Sequence, residues 1–301
     1  MRAGLGSKPY ELAPKYFYDE RGSELFDAIC EVPEYYPTRT ERAILNRHSP
    51  AIVELTRARE LVELGSGSAS KTRALLYAMA GAGTLERYVP VDVSPVPVEQ
   101  CAEELTELYP GLDVHGLVGD FERDLIHLPR GERRLFAMLG GTIGNFHPGP
   151  RAAFLAAIRE RLGASDWLLL GTDLVKDPAV LEAAYDDAAG VTAEFNLNVL
   201  HVLNRELDAD FDPARWQHVA HWDADEERIE MLLRATGDQH VSVPGAQLEL
   251  DFAAGEAIRT EVSSKFTRAR IERELTAAGL RLEALYTDPD ELFAVSLAAP
   301  V

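Results

Sequence analysis

The chain has 301 residues, 46% of them hydrophobic, with 50 acidic against 30 basic side chains and a formal charge of −20. That length suits one large core or two smaller ones, and the negative charge argues against nucleic acid or an anionic membrane as partner, since either would repel it. Cys30 and Cys101 fit no metal or disulfide spacing, and no apolar run reaches the roughly 18 residues of a membrane helix, so a soluble, metal-free protein of the reducing cytoplasm is expected.

Residues 1 to 38 contain PKYFYDERGSELFDAI and PEYYP, too aromatic for a disordered tail and too early for the sheet that follows. Five apolar runs come next: LVEL (61–64), RYVPVDV (87–93), DVHGLV (113–118), RLFAMLG (134–140) and WLLLGTD (167–173). Helix-like stretches such as KTRALLYAMAGAG separate them. Strands that alternate with helices predict a Rossmann-like α/β domain, a mostly parallel sheet with helices on both faces. After Asp173 the rhythm breaks into two helical patterns, VLEAAYDDAAG and TAEFNLNVLHVLNREL, and several strand-like runs reaching about Ser264. TRARIERELTAAGL then reads as a helix ending at Gly279, and RLEALYTD and LFAVSLAA as strands rejoining the first sheet. The expected domains are 39–175 with 265–301, and an α+β domain of 1–38 with 176–264 that packs over the ligand site.

The first run opens into GSGSASKT, so Gly65 and Gly67 stand between a buried-type strand and a helix, where backbone can approach a ligand closely. Ser70 occupies the place of a third glycine, and by itself such a turn is equally an ordinary feature of α/β proteins. Asp92 ends the second run, where a carboxylate can accept from both hydroxyls of an adenosine ribose, as in nicotinamide and S-adenosylmethionine enzymes alike. At the third, GDF offers Asp120 to an adenine amine and Phe121 to the ring face, which favours S-adenosylmethionine; the plainer reading of Asp120 is a helix N-cap. The fourth run opens into LGGTIGNFHPG, with Asn145 at the edge of a loop beyond the strand ends, either a polar contact for the acceptor or simple turn chemistry. His218 and His221, three apart on a predicted strand, point to opposite faces and do not suggest a shared metal.

Together, ELGSGSASKTR, VDVS, GDF, GGTIGN, LLLGTDLVKD, AYDDAAGVTAEFN, NREL and TEVSSKF, with PKYFYDERGSELFDAI and PEYYPTRTE, closely resemble the bacterial histidine Nα-methyltransferases of ergothioneine biosynthesis. The resemblance covers nearly the whole chain. It implies a class I methyltransferase fold and a monomer that methylates free L-histidine three times on its α-nitrogen, giving hercynine and S-adenosylhomocysteine. By the same resemblance, cofactor contacts fall on Tyr18, Gly65, Lys71, Asp92, Asp120, Phe121 and Gly140. Histidine contacts fall on Tyr35, Asn145, Tyr185, Glu261 and Ser263. Gly141 departs from the pattern only beside the site, where a serine would be unsurprising.

An α-amine with a pKa of about 8 is mostly protonated at neutral pH and has no lone pair to attack a methyl group, so the site must favour the neutral amine. Asn145 and Tyr35 are the candidates for orienting that nitrogen, and Tyr18, Tyr35, Tyr36 and Phe121 are candidate faces for a quaternary product, unless they are core packing. Tyr185 would hold the carboxylate. Strand periodicity in TEVSSKF puts Glu261, Ser263 and Lys265 on one face, where Glu261 and Ser263 could address the two imidazole nitrogens. Three rivals differ in these features: a relative acting on tryptophan would not need them, a nicotinamide oxidoreductase would not need GDF, and a nonenzymatic sensor would need no acceptor residues.

Overall fold

The computed structural model describes residues 1–301 apart from Ser68, one of the variable positions of the glycine motif, and the side chain of Ala3. The strands in chain order are β1 (Tyr10–Glu11), β2 (Glu60–Leu64), β3 (Arg87–Asp92), β4 (Asp113–Val114), β5 (Leu117–Val118), β6 (Arg134–Met138) and β7 (Trp167–Asp173). Then follow β8 (Trp216–Asp223), β9 (Arg228–Ala235), β10 (Gln239–Val243), β11 (Leu248–Phe252), β12 (Ala257–Ser264), β13 (Leu280–Thr287) and β14 (Phe293–Pro300). The chain divides into two compact units, one of Pro37–Val175 with Lys265–Val301 and one of Met1–Tyr36 with Lys176–Ser264.

The first unit is built on an eight-stranded sheet in the order β13-β14-β7-β6-β2-β3-β4, with β5 also on β3. β2 through β7 pair in parallel, and β14 runs antiparallel to both β7 and β13. Side chains alternate along each strand, and the two faces carry separate cores. Val62, Phe136, Met138 and Leu168 meet Phe154 and Ile158 of the helix Pro148–Arg161 and Ile271 of the helix Arg268–Ala277. Leu61, Leu135, Ala137 and Leu169 meet Ile44 and Ile52 of the helix Tyr36–Thr56 and Leu75 and Met79 of the helix Arg73–Gly81. The chain passes outward from β2 to β3 and β4, then returns to β6 on the other side of β2. That reversal makes the carboxyl ends of β2 and β6 a topological switch point, the place where open α/β sheets bind ligands.

DVHGLV is not one strand but two, β4 and β5, broken at His115–Gly116. Tyr88 O accepts from His115 N and Asp92 O from Gly119 N, so the even-numbered residues of β3 present their backbone to this edge. Pro90, between them, has no N–H to offer, and the ladder lapses opposite it. The chain leaves this unit after Val175 and returns at Lys265. There Phe266 N–H donates to Asp173 O (2.8 Å) and Val175 N–H to Phe266 O (2.9 Å), so the inserted segment starts and ends at adjacent points.

The second unit has a four-stranded sheet, β1-β12-β9-β8, in which only β1 and β12 are parallel, and a separate β10–β11 hairpin. The helix Val191–Leu207 buries Phe195, Asn196, Val199 and Leu203, and Phe17 stacks on Phe195 at 4.5 Å between centroids. VLEAAYDDAAG is helical only through Tyr185. Asp187 accepts from Val191 N (3.0 Å) and Thr192 N (2.7 Å), the first donors of the following helix, with Gly190 at φ +76°.

Candidate functional site

In the sheet unit the glycine turn, Asp92 and the GDF segment converge at the strand ends. Gly65 has φ +76°, which favours glycine, and it faces the Phe121 ring, from which a Cβ would stand at an ordinary contact distance of 3.5 Å. Asp92 accepts from Gly67 N (2.9 Å) through Oδ2 and from Ser94 N (3.0 Å) through Oδ1, which fixes the carboxylate against the turn. Asp120 does act as an N-cap, accepting from Glu122 N at 3.0 Å, but the helix it starts, Phe121–Asp124, is one turn long. Capping therefore holds Asp120 in place beside Phe121.

Lys71 and Gly140 are joined by a residue that had no readable role in the sequence. Glu41 is wholly buried; it accepts from Gly140 N through both oxygens (2.9 and 2.8 Å) and pairs with Lys71 Nζ at 2.9 Å. It closes the PEYYPTRTE motif, and a glutamate in a helical stretch gives no sign of which buried amide it will meet. Beneath it, Glu63 of β2 accepts from the hydroxyls of Thr72 and Tyr88, and burial pushes its pKa up to about 7. Gly140 (φ +78°) and Gly141 (φ +71°) are both left-handed and lead into the turn Thr142–Asn145. Gly141 is thus a conformational requirement, and a serine would be strained there. Asn145, half-buried at the end of that turn, makes no side-chain hydrogen bond among the described residues.

The other unit gathers Tyr18, Tyr35, Tyr185, Glu261 and Ser263. Tyr185 Oη and Ser263 Oγ are hydrogen-bonded at 2.8 Å. Tyr35 packs edge-on to Tyr185 (6.2 Å) and to Phe26 (6.3 Å), and Tyr18 edge-on to Phe26 (5.6 Å) and Phe195 (5.9 Å). Burial pushes the Tyr35 hydroxyl well above its usual pKa, with Tyr185 and Glu261 nearby adding to the shift, so it remains protonated at neutral pH. Tyr18, read with the cofactor set, therefore lies in the unit of the acceptor set, and Asn145, read with the acceptor set, lies in the sheet unit. Tyr36 receives a hydrogen bond from Lys176 Nζ at 2.7 Å.

A bulge decides the face that Glu261 presents. Arg259 pairs with Leu232 and Glu261 with Met231, leaving Thr260 as an extra residue. The shift reverses the alternation, so Glu261 and Ser263 align with Met231 and Ile229, the buried side of β9. Lys265 does not continue that face: β12 ends at Ser264, and Lys265, fully buried in the sheet unit, pairs with Asp173 at 2.8 Å. His218 is buried on β8 and His221 exposed; among the described residues no group of three or more potential metal ligands exists. Nor, among those residues, is any helix long and apolar enough to cross a membrane.

A protein-family model described as histidine-specific, S-adenosylmethionine-dependent methyltransferase matches residues 1–300. The chain belongs to that family. It is 53% identical over 298 residues to a histidine Nα-methyltransferase of Mycolicibacterium smegmatis, covering 99% of this chain and 93% of the relative. To the histidine Nα-methyltransferase of Mycobacterium tuberculosis it is 52% identical over 297 residues, with 99% and 92% covered. An ergothioneine biosynthesis protein 1 of Neurospora crassa is 31% identical over 94% of this chain, which spans 32% of that longer protein. Family membership makes S-adenosylmethionine the methyl donor.

Proposed function

We propose that this enzyme transfers methyl groups from S-adenosylmethionine to the α-amino nitrogen of free L-histidine, three times in succession, giving hercynine as the first step towards ergothioneine. The observation that carries the acceptor is the bulge in β12, which turns Glu261 and Ser263 to the buried face beside the Tyr185 hydroxyl. A carboxylate and a hydroxyl two residues apart on one strand suit the two nitrogens of an imidazole, and Tyr185 suits the carboxylate.

In the cofactor half, Asp92 holds the ribose hydroxyls, Asp120 and Phe121 the adenine, and Lys71 with Gly140 lines the methionine end. The bound S-adenosylmethionine supplies an electrophilic methyl whose sulfur keeps the bonding pair and becomes a neutral thioether. Orientation of the amine is assigned to Asn145 through its carboxamide and to Tyr35 through its hydroxyl. Because the Tyr35 hydroxyl is held well above its usual pKa, it acts as a hydrogen-bonding group and not as a tyrosinate base. The ammonium proton formed at each of the first two transfers passes to water before the next. The rings of Tyr18 and Tyr35 favour the quaternary nitrogen of the last product.

Incubating the protein with S-adenosylmethionine and a mixture of amino acids, then weighing the products, tests this reading. Histidine gaining three methyls is expected. Methylated tryptophan would reassign the acceptor, and binding of S-adenosylmethionine with no methylated product would make the protein a sensor.

A further inference from the structure

His218 stands on the buried face of β8 and belongs to neither the cofactor set nor the acceptor set. Its Nδ1 lies 2.8 Å from Asn196 Nδ2 and its Nε2 lies 2.8 Å from Tyr185 O. The orientation of Asn196 is unambiguous: Nδ2 also donates to Leu232 O (3.1 Å), and Oδ1 accepts from the Thr260 hydroxyl (2.7 Å). Flipping the amide would aim its oxygen at the Leu232 carbonyl. Nδ1 of His218 must then accept and Nε2 carry the proton, so the ring is one neutral tautomer. Burial keeps its pKa below the usual value, against the attraction of Asp186, 3.9 Å from Nε2, and of Asp187.

Both ends of this chain of bonds reach the proposed acceptor residues. Tyr185 is the last residue of the helix Pro178–Tyr185, and its carbonyl is one of those a helix end leaves without an intrahelical donor. His218 supplies that donor. Thr260, at the other end, is the extra residue of the bulge that turns Glu261 and Ser263 inward. The Tyr185 hydroxyl bonds Ser263, so the path returns to the residue it started from.

We propose that His218 and Asn196 are positioning residues for the acceptor: the pair ties the helix end carrying Tyr185 to the β12 bulge carrying Glu261 and Ser263. Neither side chain touches the substrate. The inference rests on the reading that Tyr185, Glu261 and Ser263 bind histidine.

Steady-state kinetics and cofactor titration on the full chain test it with H218L, H218Q and T260V. H218L removes both bonds and is expected to raise the KM for histidine about tenfold or more, the scale of one buried polar group left unpaired. The affinity for S-adenosylmethionine should stay at the wild-type value. T260V, which removes the hydroxyl that lies 2.7 Å from Asn196 Oδ1 and 3.0 Å from Met231 O while leaving both bonds of His218, should move the histidine KM in the same direction by about threefold to tenfold. H218Q can still accept from Asn196 and donate to Tyr185 O, and should recover most of the loss. Unchanged histidine KM in H218L and T260V, with normal wild-type turnover, would overturn the network alone. Equal losses for both substrates, or no recovery in H218Q, would overturn it in favour of a general folding role. If H218L does not fold, T260V and H218Q decide on the same criteria. A wild-type protein that does not methylate histidine would overturn the acceptor reading, and this inference with it.

Discussion

The two units hold the residues proposed to bind cofactor and acceptor by different means. In the sheet unit the work is done by backbone: Gly65, Gly67, Gly140 and Gly141 take left-handed φ, and Asp92 and Asp120 are held by backbone N–H groups at strand ends. In the other unit it is done by side chains bonded to side chains, Tyr185 to Ser263 and His218 to Asn196 to Thr260. A backbone site is set by a few consecutive residues and serves a cofactor common to many enzymes. A side-chain network joins positions as distant as 185 and 263.

That contrast can be broken by substitutions that act on one unit and spare the other. Asp92→Ala should have the largest effect, weakening S-adenosylmethionine by about a hundredfold or more through the loss of two charge-assisted hydrogen bonds. Calorimetric titration would show it; an unchanged affinity would remove Asp92 from the cofactor site. Glu261→Ala leaves an imidazole N–H unpaired and should raise the KM for histidine about tenfold to a few hundredfold, with cofactor affinity unchanged. Full histidine affinity in that variant would mean the bulge faces something else.

Glu63, on β2 of the sheet unit, sharpens the comparison. Its pKa of about 7 exceeds the ordinary 4.5, so between those values an unfolded chain has released a proton that the folded one keeps. Its contribution to stability is full below about pH 4.5 and is lost as pH rises through about 7, on the order of 1 to 3 kcal/mol. Glu63→Gln should therefore flatten the decline in urea stability between pH 5 and pH 8; an unaltered slope would show that another group titrates there. Smallest is Gly141→Ser, which forces a side chain into φ +71° and should cost about 1 to 2 kcal/mol, read as a lower Tm. A serine tolerated without loss would mean the turn relaxes.

The sheet unit was largely legible because its signals are local. A buried run followed by Gly-x-Gly places Gly65, and a run ending in Asp places Asp92, whatever lies elsewhere in the chain. Asp120 could be read as cap or ligand contact, and in the structure it caps the one-turn helix Phe121–Asp124. Glu41 was invisible because its meaning comes from Gly140, 99 residues away. DVHGLV was misread as one strand because its break is imposed by Pro90 on the neighbouring strand. Simple alternation joined Lys265 to Glu261 and Ser263, yet the strand stops before it and its charge is used by Asp173.

By itself the sequence determined the family, the order of strands and helices, and the turn residues that only glycine can fill, because each is written in consecutive positions. Only the tertiary structure decided which way Glu261 and Ser263 face, what holds Glu41, and which nitrogen of His218 carries the proton. A bulge, a buried carboxylate and a histidine tautomer are each settled by a partner on another element, and that partner exists only once the chain has folded.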